Sequence, residues 1–123
     1  MKFLGIHLVL ELKDCPPELL DDLPFIQQTL LNAARVMGAT VVGETFHKFA
    51  PQGVTGVVAI AESHLCIHTW PEHKYAAVDI FCCGDKVDPH IAAQDLIIRF
   101  AAGDSSIIEL KRGVLTTVVE ITR

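Results

Sequence analysis

The polar side chains that could do chemistry lie in one stretch, which runs from Glu62 to Gly84 and reads ESHLCIHTWPEHKYAAVDIFCCG. A carboxyl, a hydroxyl and two imidazoles stand close together there, at Glu62, Ser63, His64 and His68, within an otherwise apolar strand-like pattern. Polar groups in a pleated segment are costly unless they are paired, and such crowding is typical of functional sites. The stretch therefore predicts a site.

Two common chemistries fit these residue types poorly. Residues four apart in a strand, such as His64 and His68, stand ~13 Å apart, which is too far to share one metal ion. A nucleophilic pair of Cys83 with His68 is possible by residue type, but no motif supplies the group that would orient the histidine. We therefore predict no metal site and do not favour a cysteine nucleophile.

Strand alternation sorts the candidate residues by face. One face is predicted to carry Glu62, His64, Cys66, His68 and Trp70, and the other Ser63, Leu65, Ile67 and Thr69. In the next strand, the same rule places Cys82 among core residues and presents Cys83 beside polar groups.

The elements that must position this stretch form two halves, each of the kind strand–helix–strand–strand. Strands are predicted over 2–12, 39–49, 54–61, 64–70, 75–83, 105–112 and 114–122. One helix is predicted to start near 22–24 and to stop at Gly38. A second is predicted to be capped by Asp88 and to end at Gly103. The segment 14–23 is predicted to be a loop because of Pro16 and Pro17. Short connections favour antiparallel pairing. The predicted fold is an α+β two-layer sandwich, a mainly antiparallel sheet with two helices on one face.

Composition limits the class of protein. A chain of 123 residues is predicted to form a single domain, 1–123. Its net charge is −5 and its Lys and Arg are scattered, so we expect no nucleic-acid partner. No apolar run is long enough to span a membrane, and four cysteines without a C-x-x-C pair predict a reduced, cytoplasmic protein. The mean hydropathy of +0.39 predicts an apolar face that meets a second copy of the chain.

The chain resembles the short prokaryotic S-adenosylmethionine decarboxylase proenzymes. The matching pieces are 62–64 (ESH), 67–72 (IHTWPE), 75–79 (YAAVD), 81–84 (FCCG), 47–49 (HKF) and 51–56 (PQGVTG). This resemblance implies a self-cleaving, pyruvoyl-dependent enzyme that supplies the aminopropyl donor for spermidine synthesis. The expected cut lies between Glu62 and Ser63 and gives chains 1–62 and 63–123.

The resemblance also implies how the cofactor is made. The Ser63 hydroxyl attacks the carbonyl carbon of Glu62, and the resulting ester is eliminated to dehydroalanine, which hydrolyses to a pyruvoyl group. That group forms a Schiff base with the amine of S-adenosylmethionine and accepts the electrons released with CO₂. Neither a metal nor pyridoxal phosphate is expected.

By resemblance, His68 removes the Ser63 α-proton during processing, Thr55 provides a hydroxyl that steadies the acyl shift, and Cys83 returns a proton to the substrate. The substrate contacts implied are Glu72 for the ribose, Phe49 for adenine stacking and Trp70 as a further aromatic face.

Alternation places Ser63 and His68 on opposite faces, which conflicts with proton transfer inside one strand. Either the chain turns sharply at the cleavage junction, or His68 serves the Ser63 of a partner. We predict a homodimer whose active sites combine residues of both protomers, as the resemblance implies. A pyruvoyl-dependent arginine decarboxylase, a non-catalytic paralogue and a plain ligand-binding or metal-sensing dimer stay open as alternatives.

Overall fold

The computed structural model describes residues 2–61, 63–83 and 85–115. In chain order its elements are β1 (Gly5–Lys13), α1 (Pro17–Leu20), α2 (Leu23–Val36), β2 (Val41–Lys48), β3 (Val54–Ile60), β4 (Ser63–Trp70), a 3₁₀ turn (Pro71–His73), β5 (Tyr75–Cys83), α3 (Pro89–Arg99) and β6 (Asp104–Arg112).

The strands form one six-stranded sheet in the order β2-β3-β4-β5-β1-β6. Every neighbouring pair is antiparallel. Both long helices pack on the same face, α2 against β2 and β3 and α3 against β1 and β5. The predicted α+β two-layer sandwich is therefore confirmed.

The two long helices begin and end at local signals. Asp22 accepts a hydrogen bond from the Phe25 N–H at the start of α2, and Asp88 accepts one from the His90 N–H at the start of α3. Helix α2 ends at the predicted glycine, because Gly38 has a φ of 91° and donates to the Arg35 carbonyl at 3.0 Å.

Two local predictions are wrong. The predicted loop over 14–23 contains α1, since a proline at the first helical position loses no hydrogen bond there. Helix α3 ends at Arg99 rather than at Gly103, and the left-handed residue is Ala101, with a φ of 51°. Gly103 instead allows a close approach, because a Cβ there would lie 3.0 Å from the Asp14 Cβ.

The predicted last strand, 114–122, lies mostly outside the described residues. Its first two residues are described, and Leu115 donates its N–H to the Lys2 carbonyl at 2.7 Å. None of the helices described is long and apolar enough to cross a membrane.

The core lies between the helices and one face of the sheet. Alternate residues of the central strands point into it, for example Leu8, Leu10, Leu65, Ile67 and Ile80, all at 0% exposure. The opposite face, which we call the open face, has no layer over it among the described elements. It carries Val9, Thr55, Val57, Cys66, His68, Asp79, Phe81, Ile108 and Leu110.

Candidate active site

Five predicted site residues meet in one cleft at the start of β3 and the end of β4. The cleft has a volume of about 340 Å³, which is within the usual range for small-molecule sites. Its walls are Phe49, Gln52, Gly53, Thr55, His68, Thr69, Trp70 and Glu72. The structure thus brings together the predicted processing pair and all three predicted substrate contacts.

Thr55 and His68 are directly opposite each other on β3 and β4. The Thr55 Oγ1 and the His68 Nδ1 are 3.0 Å apart, which is a hydrogen-bond distance. In the tautomer in which Nδ1–H donates to this hydroxyl, the His68 Nε2 carries the free lone pair and is the ring atom that can take a proton.

Aromatic side chains form one wall of the cleft. Trp70 stacks on Tyr75 with ring centroids 5.4 Å apart and an interplanar angle of 26°. The Tyr75 hydroxyl donates to the Glu11 Oε1 at 2.7 Å. Burial, the main cause, and the hydrogen bond to the Glu11 carboxylate, the second, raise the pKa of Tyr75 to about 12. The hydroxyl therefore stays protonated and remains a donor at neutral pH. Trp70 is therefore held by a neutral, hydrogen-bonded partner.

Ser63 and Cys83 form a second group at the other end of the same strand. Ser63 is the first residue of β4, and its Oγ accepts a hydrogen bond from the Cys83 N–H at 3.0 Å. The two adjacent thiols separate as the alternation predicts, since Cys82 is 3% exposed and Cys83 is half-buried on the other face. Burial raises the pKa of Cys82 to about 11 and leaves it an inert core residue.

The two groups are far apart within one chain. His68 lies five positions after Ser63 on a continuous strand, which separates their backbones by ~17 Å at ~3.3 Å per residue. Any turn at the cleavage junction precedes Ser63, so it does not shorten this distance. His68 cannot reach the Ser63 of its own chain in this fold.

Two further features bear on the site: possible metal ligands and the predicted site residue Glu62. Within residues 2–61, 63–83 and 85–115, no group of three or more His, Cys, Asp or Glu side chains could hold a metal ion. Glu62, a predicted site residue, lies outside the described residues.

Sequence reasoning missed part of the cleft. Gln52, Gly53 and Thr69 line it, and His47 packs its ring edge-on against Phe49 with centroids 4.5 Å apart. A signal existed for Thr69, because a hydroxyl on the buried face of a strand needs a partner. Gln52 and Gly53 reach the cleft through the turn between β2 and β3, and His47 reaches Phe49 through its place near the end of β2, neither of which a local pattern indicates.

The fold and the site define an α+β two-layer protein with a polar and aromatic cleft at one end of its sheet and a serine–cysteine pair at the other. Residues 6–113 match the family model described as S-adenosylmethionine decarboxylase. The chain is 51% identical over 116 residues to the S-adenosylmethionine decarboxylase proenzyme of Thermodesulfovibrio yellowstonii, covering 94% of this chain and 86% of that protein. It is 50% identical over 115 residues to the proenzyme of Pelotomaculum thermopropionicum, covering 94% and 91%.

A solved structure agrees. The crystal structure of the adenosylmethionine decarboxylase from Aquifex aeolicus superposes with a TM-score of 0.88 at 31% identity, covering 94% of this chain and 96% of that one. The chain belongs to the S-adenosylmethionine decarboxylase family, and it is an enzyme. The predicted resemblance is confirmed.

Proposed function

We propose that the chain cuts itself between Glu62 and Ser63 and then decarboxylates S-adenosylmethionine to the aminopropyl donor used in spermidine synthesis. Family membership supports the activity. One observation carries the assignment of roles: the predicted residues collect into two compact groups at the two ends of β4.

The processing step uses groups that flank the junction. The Ser63 Oγ attacks the Glu62 carbonyl carbon, the peptide C–N bond breaks, and the amine is freed as an ester forms. Removal of the Ser63 α-proton then expels the Glu62 carboxylate and leaves dehydroalanine, which takes up water and releases ammonia to give the pyruvoyl group. The Cys83 N–H, 3.0 Å from the Ser63 Oγ, supports this assignment because it fixes the nucleophile beside the junction.

A partner protomer supplies the base in this proposal. The base must come within hydrogen-bond reach of the Ser63 α-carbon, about 3 Å, whereas His68 of the same chain is ~17 Å away along the strand. In the proposed dimer, a two-fold axis relates the two protomers. The axis runs across the strands, parallel to the sheet and level with Cys66. It therefore brings each end of β4 opposite the other end of the partner's β4. The α-carbon of each Ser63 then lies at the level of the partner's cleft.

The open face supports this homodimer. It exposes apolar side chains that no described element covers, including Val57 (36% exposed), Leu110 (43%) and Ile108 (57%). Stacked sheets lie ~10 Å apart, a spacing that leaves room for side chains and a substrate between them. The homodimer therefore buries an apolar face and completes two identical sites.

The residues present suit a pyruvoyl group at position 63. Ser63 would become the first residue of its chain while remaining paired with Ile60 of β3, so the group would be held at a fixed point of the sheet. When present, it supplies a carbonyl that binds the substrate amine and withdraws electrons as CO₂ leaves. Cys83, on the open face beside it, returns the proton to the α-carbon.

The cleft's side chains match the rest of the substrate. Phe49 is 47% exposed and Trp70 is 40% exposed, so both offer free aromatic faces for adenine and for the sulfonium cation. Glu72 at the cleft wall accepts hydrogen bonds from the ribose hydroxyls. An arginine substrate has neither an adenine to stack on Phe49 nor ribose hydroxyls to donate to Glu72.

The intact mass of each chain under denaturing conditions tests the cut. We expect two fragments, 1–62 and 63–123, with the second lighter than a serine-initiated chain by one ammonia. CO₂ release from carboxyl-labelled S-adenosylmethionine tests the activity, with labelled arginine as the competing substrate. Ser63→Ala serves as the uncut control. An uncut, inactive wild type or a preference for arginine would contradict the proposal.

We place the enzyme in the cytoplasm, where thiols stay reduced. All four cysteines, Cys15, Cys66, Cys82 and Cys83, are unpaired in the described part of the chain. The proposed partners are the substrate and a second copy, with neither nucleic acid nor membrane.

A further inference from the structure

Asp21 lies between α1 and α2 and holds both ends of the connection from β2 to β3. Its Oδ1 accepts the Lys48 Nζ at 2.7 Å and the Gly53 N–H at 2.9 Å. The Lys48 Nζ also donates to the Asp21 carbonyl at 2.8 Å. One residue on the helix side of the sheet therefore ties down the last residue of β2 and the residue before β3.

The neighbouring residue, Leu20, ties the same corner to β4. Its carbonyl accepts the Thr69 hydroxyl at 2.6 Å, and the Thr69 Oγ1 accepts the Val54 N–H at 2.8 Å. Thr69 is only 6% exposed, so its hydroxyl needs these partners. The Leu20–Asp21 corner thus connects β2, β3 and β4 beneath the cleft.

The segment held in this way carries Phe49, the proposed adenine platform. The Phe49 N–H donates to the Gly53 carbonyl at 2.8 Å and closes the turn. Gly53 has a φ of 105°, and a Cβ there would lie 3.1 Å from the Thr69 carbonyl oxygen. Because the turn is closed by Gly53 and Gly53 is anchored by Asp21, the place of the Phe49 ring depends on the Asp21 carboxylate.

Stability alone is a weak reason for this arrangement. The Lys48 and Asp21 side chains are 43% and 35% exposed, and exposed ion pairs contribute little to folding. Both partners of the carboxylate nevertheless flank Phe49 in the sequence, which is where substrate binding needs precision.

We propose that Asp21 is a positioning residue for the cleft: by anchoring Gly53, with the Lys48 contact as a secondary support, it sets the Phe49 ring against the rest of the substrate site. This inference rests on the proposed function. It assigns Asp21 a role in substrate affinity and none in the chemical steps.

The test compares KM and kcat for CO₂ release from labelled S-adenosylmethionine in cut enzyme. Asp21→Ala removes both side-chain acceptors, and we expect KM to rise about tenfold, or about 1.4 kcal/mol of binding free energy, with kcat within about twofold. Asp21→Asn keeps an acceptor for the Gly53 N–H, and Lys48→Met keeps the Asp21–Gly53 bond. Both should stay within about threefold of the wild-type KM. KM is the chosen readout because incomplete self-cleavage lowers the apparent kcat but leaves KM unchanged.

Asp95→Ala is the matched control, since it removes a partly buried carboxylate on α3 that, like Asp21, accepts two hydrogen bonds, from Arg99 at 3.0 Å and from Asn32 at 3.2 Å. Its KM should equal that of the wild type. An unchanged KM in Asp21→Ala, or a fall in kcat and melting temperature without a change in KM, overturns the positioning role while leaving the proposed function intact. If Asp21→Asn is as damaging as Asp21→Ala, the geometric explanation is wrong. A wild type inactive on S-adenosylmethionine overturns both proposals.

Discussion

Mixed dimers of two uncut variants give the sharpest test of the shared active site. Ser63→Ala lacks the nucleophile, and His68→Ala lacks the base, so neither is expected to cut itself alone. When the two are co-expressed with different tags, a mixed dimer contains one complete site. That site takes Ser63 from the His68→Ala chain and His68 from the Ser63→Ala chain, so the His68→Ala chain should be cut.

The size of the effect follows from the geometry. Within one chain, the ~17 Å between the two positions on β4 leaves no direct route for the proton. If protomers assort randomly, about half of the dimers are mixed and each yields one cut chain. About half of the His68→Ala chains, and about a quarter of all chains, should therefore be cut.

Intact mass spectrometry under denaturing conditions reads out each tagged chain separately. His90→Ala is a control for loss of an imidazole, since His90 lies on α3 and pairs with Glu109, and it should cut like the wild type. Co-expression of Ser63→Ala with a Ser63→Ala/His68→Ala double variant should give no cut chain. If sequential tag purification recovers mixed dimers and they stay uncut, or if His68→Ala cuts itself alone, the shared-site reasoning is refuted.

Three further predictions concern single positions. Thr55→Val removes the hydroxyl that lies 3.0 Å from the His68 Nδ1 and should slow self-cleavage about 10- to 100-fold in a time course, whereas Thr55→Ser should stay near the wild-type rate. Asp88→Ala removes the N-terminal cap of α3 and should lower the free energy of unfolding by about 1 kcal/mol. The melting temperature should fall by ~4 °C with KM unchanged. An unchanged melting temperature would contradict the capping role. Hydrogen bonds from Lys48, the larger cause, and from the Gly53 N–H lower the pKa of Asp21 below its ordinary value of 3.8. The stabilisation that the ionised Asp21 carboxylate gives the fold is therefore present above pH 3.8 and is lost as the pH falls through the lowered pKa. The small excess of the wild-type urea midpoint over that of Asp21→Asn at about pH 7 should therefore shrink as the pH is lowered below 3.8, and an excess that does not change with pH would contradict this reasoning.

Much of the fold follows from local pattern. The stripe Ile26, Leu30, Ala33 and Met37 is buried as its helical spacing predicts. Alternation in β4 and β5 correctly separates Leu65 and Cys82 from His68 and Cys83. These features are predictable because a side chain's face depends on its own position and on the backbone period.

The errors arise where a local signal had two uses. Pro16 and Pro17 predict a loop, but proline also begins helices, and the second of them begins α1. Gly103 predicts the end of α3, but Ala101 takes the left-handed position, and the Ala102 N–H donates to the Ile97 carbonyl and closes the helix end. A tertiary contact with Asp14 explains the glycine instead.

By itself, the sequence determined the fold class, the family and the types of residue in the candidate site, because all three depend on motif and periodicity along the chain. Only the tertiary structure decided which of those residues meet. Strand pairing sets Thr55 against His68 and gathers Phe49, Trp70 and Glu72 around them. The same pairing leaves Ser63 with Cys83 at the far end of β4. The support that Asp21 gives to Gly53 spans 32 positions in the chain. Contacts of that kind depend on how separate elements pack, which no local pattern along the chain encodes.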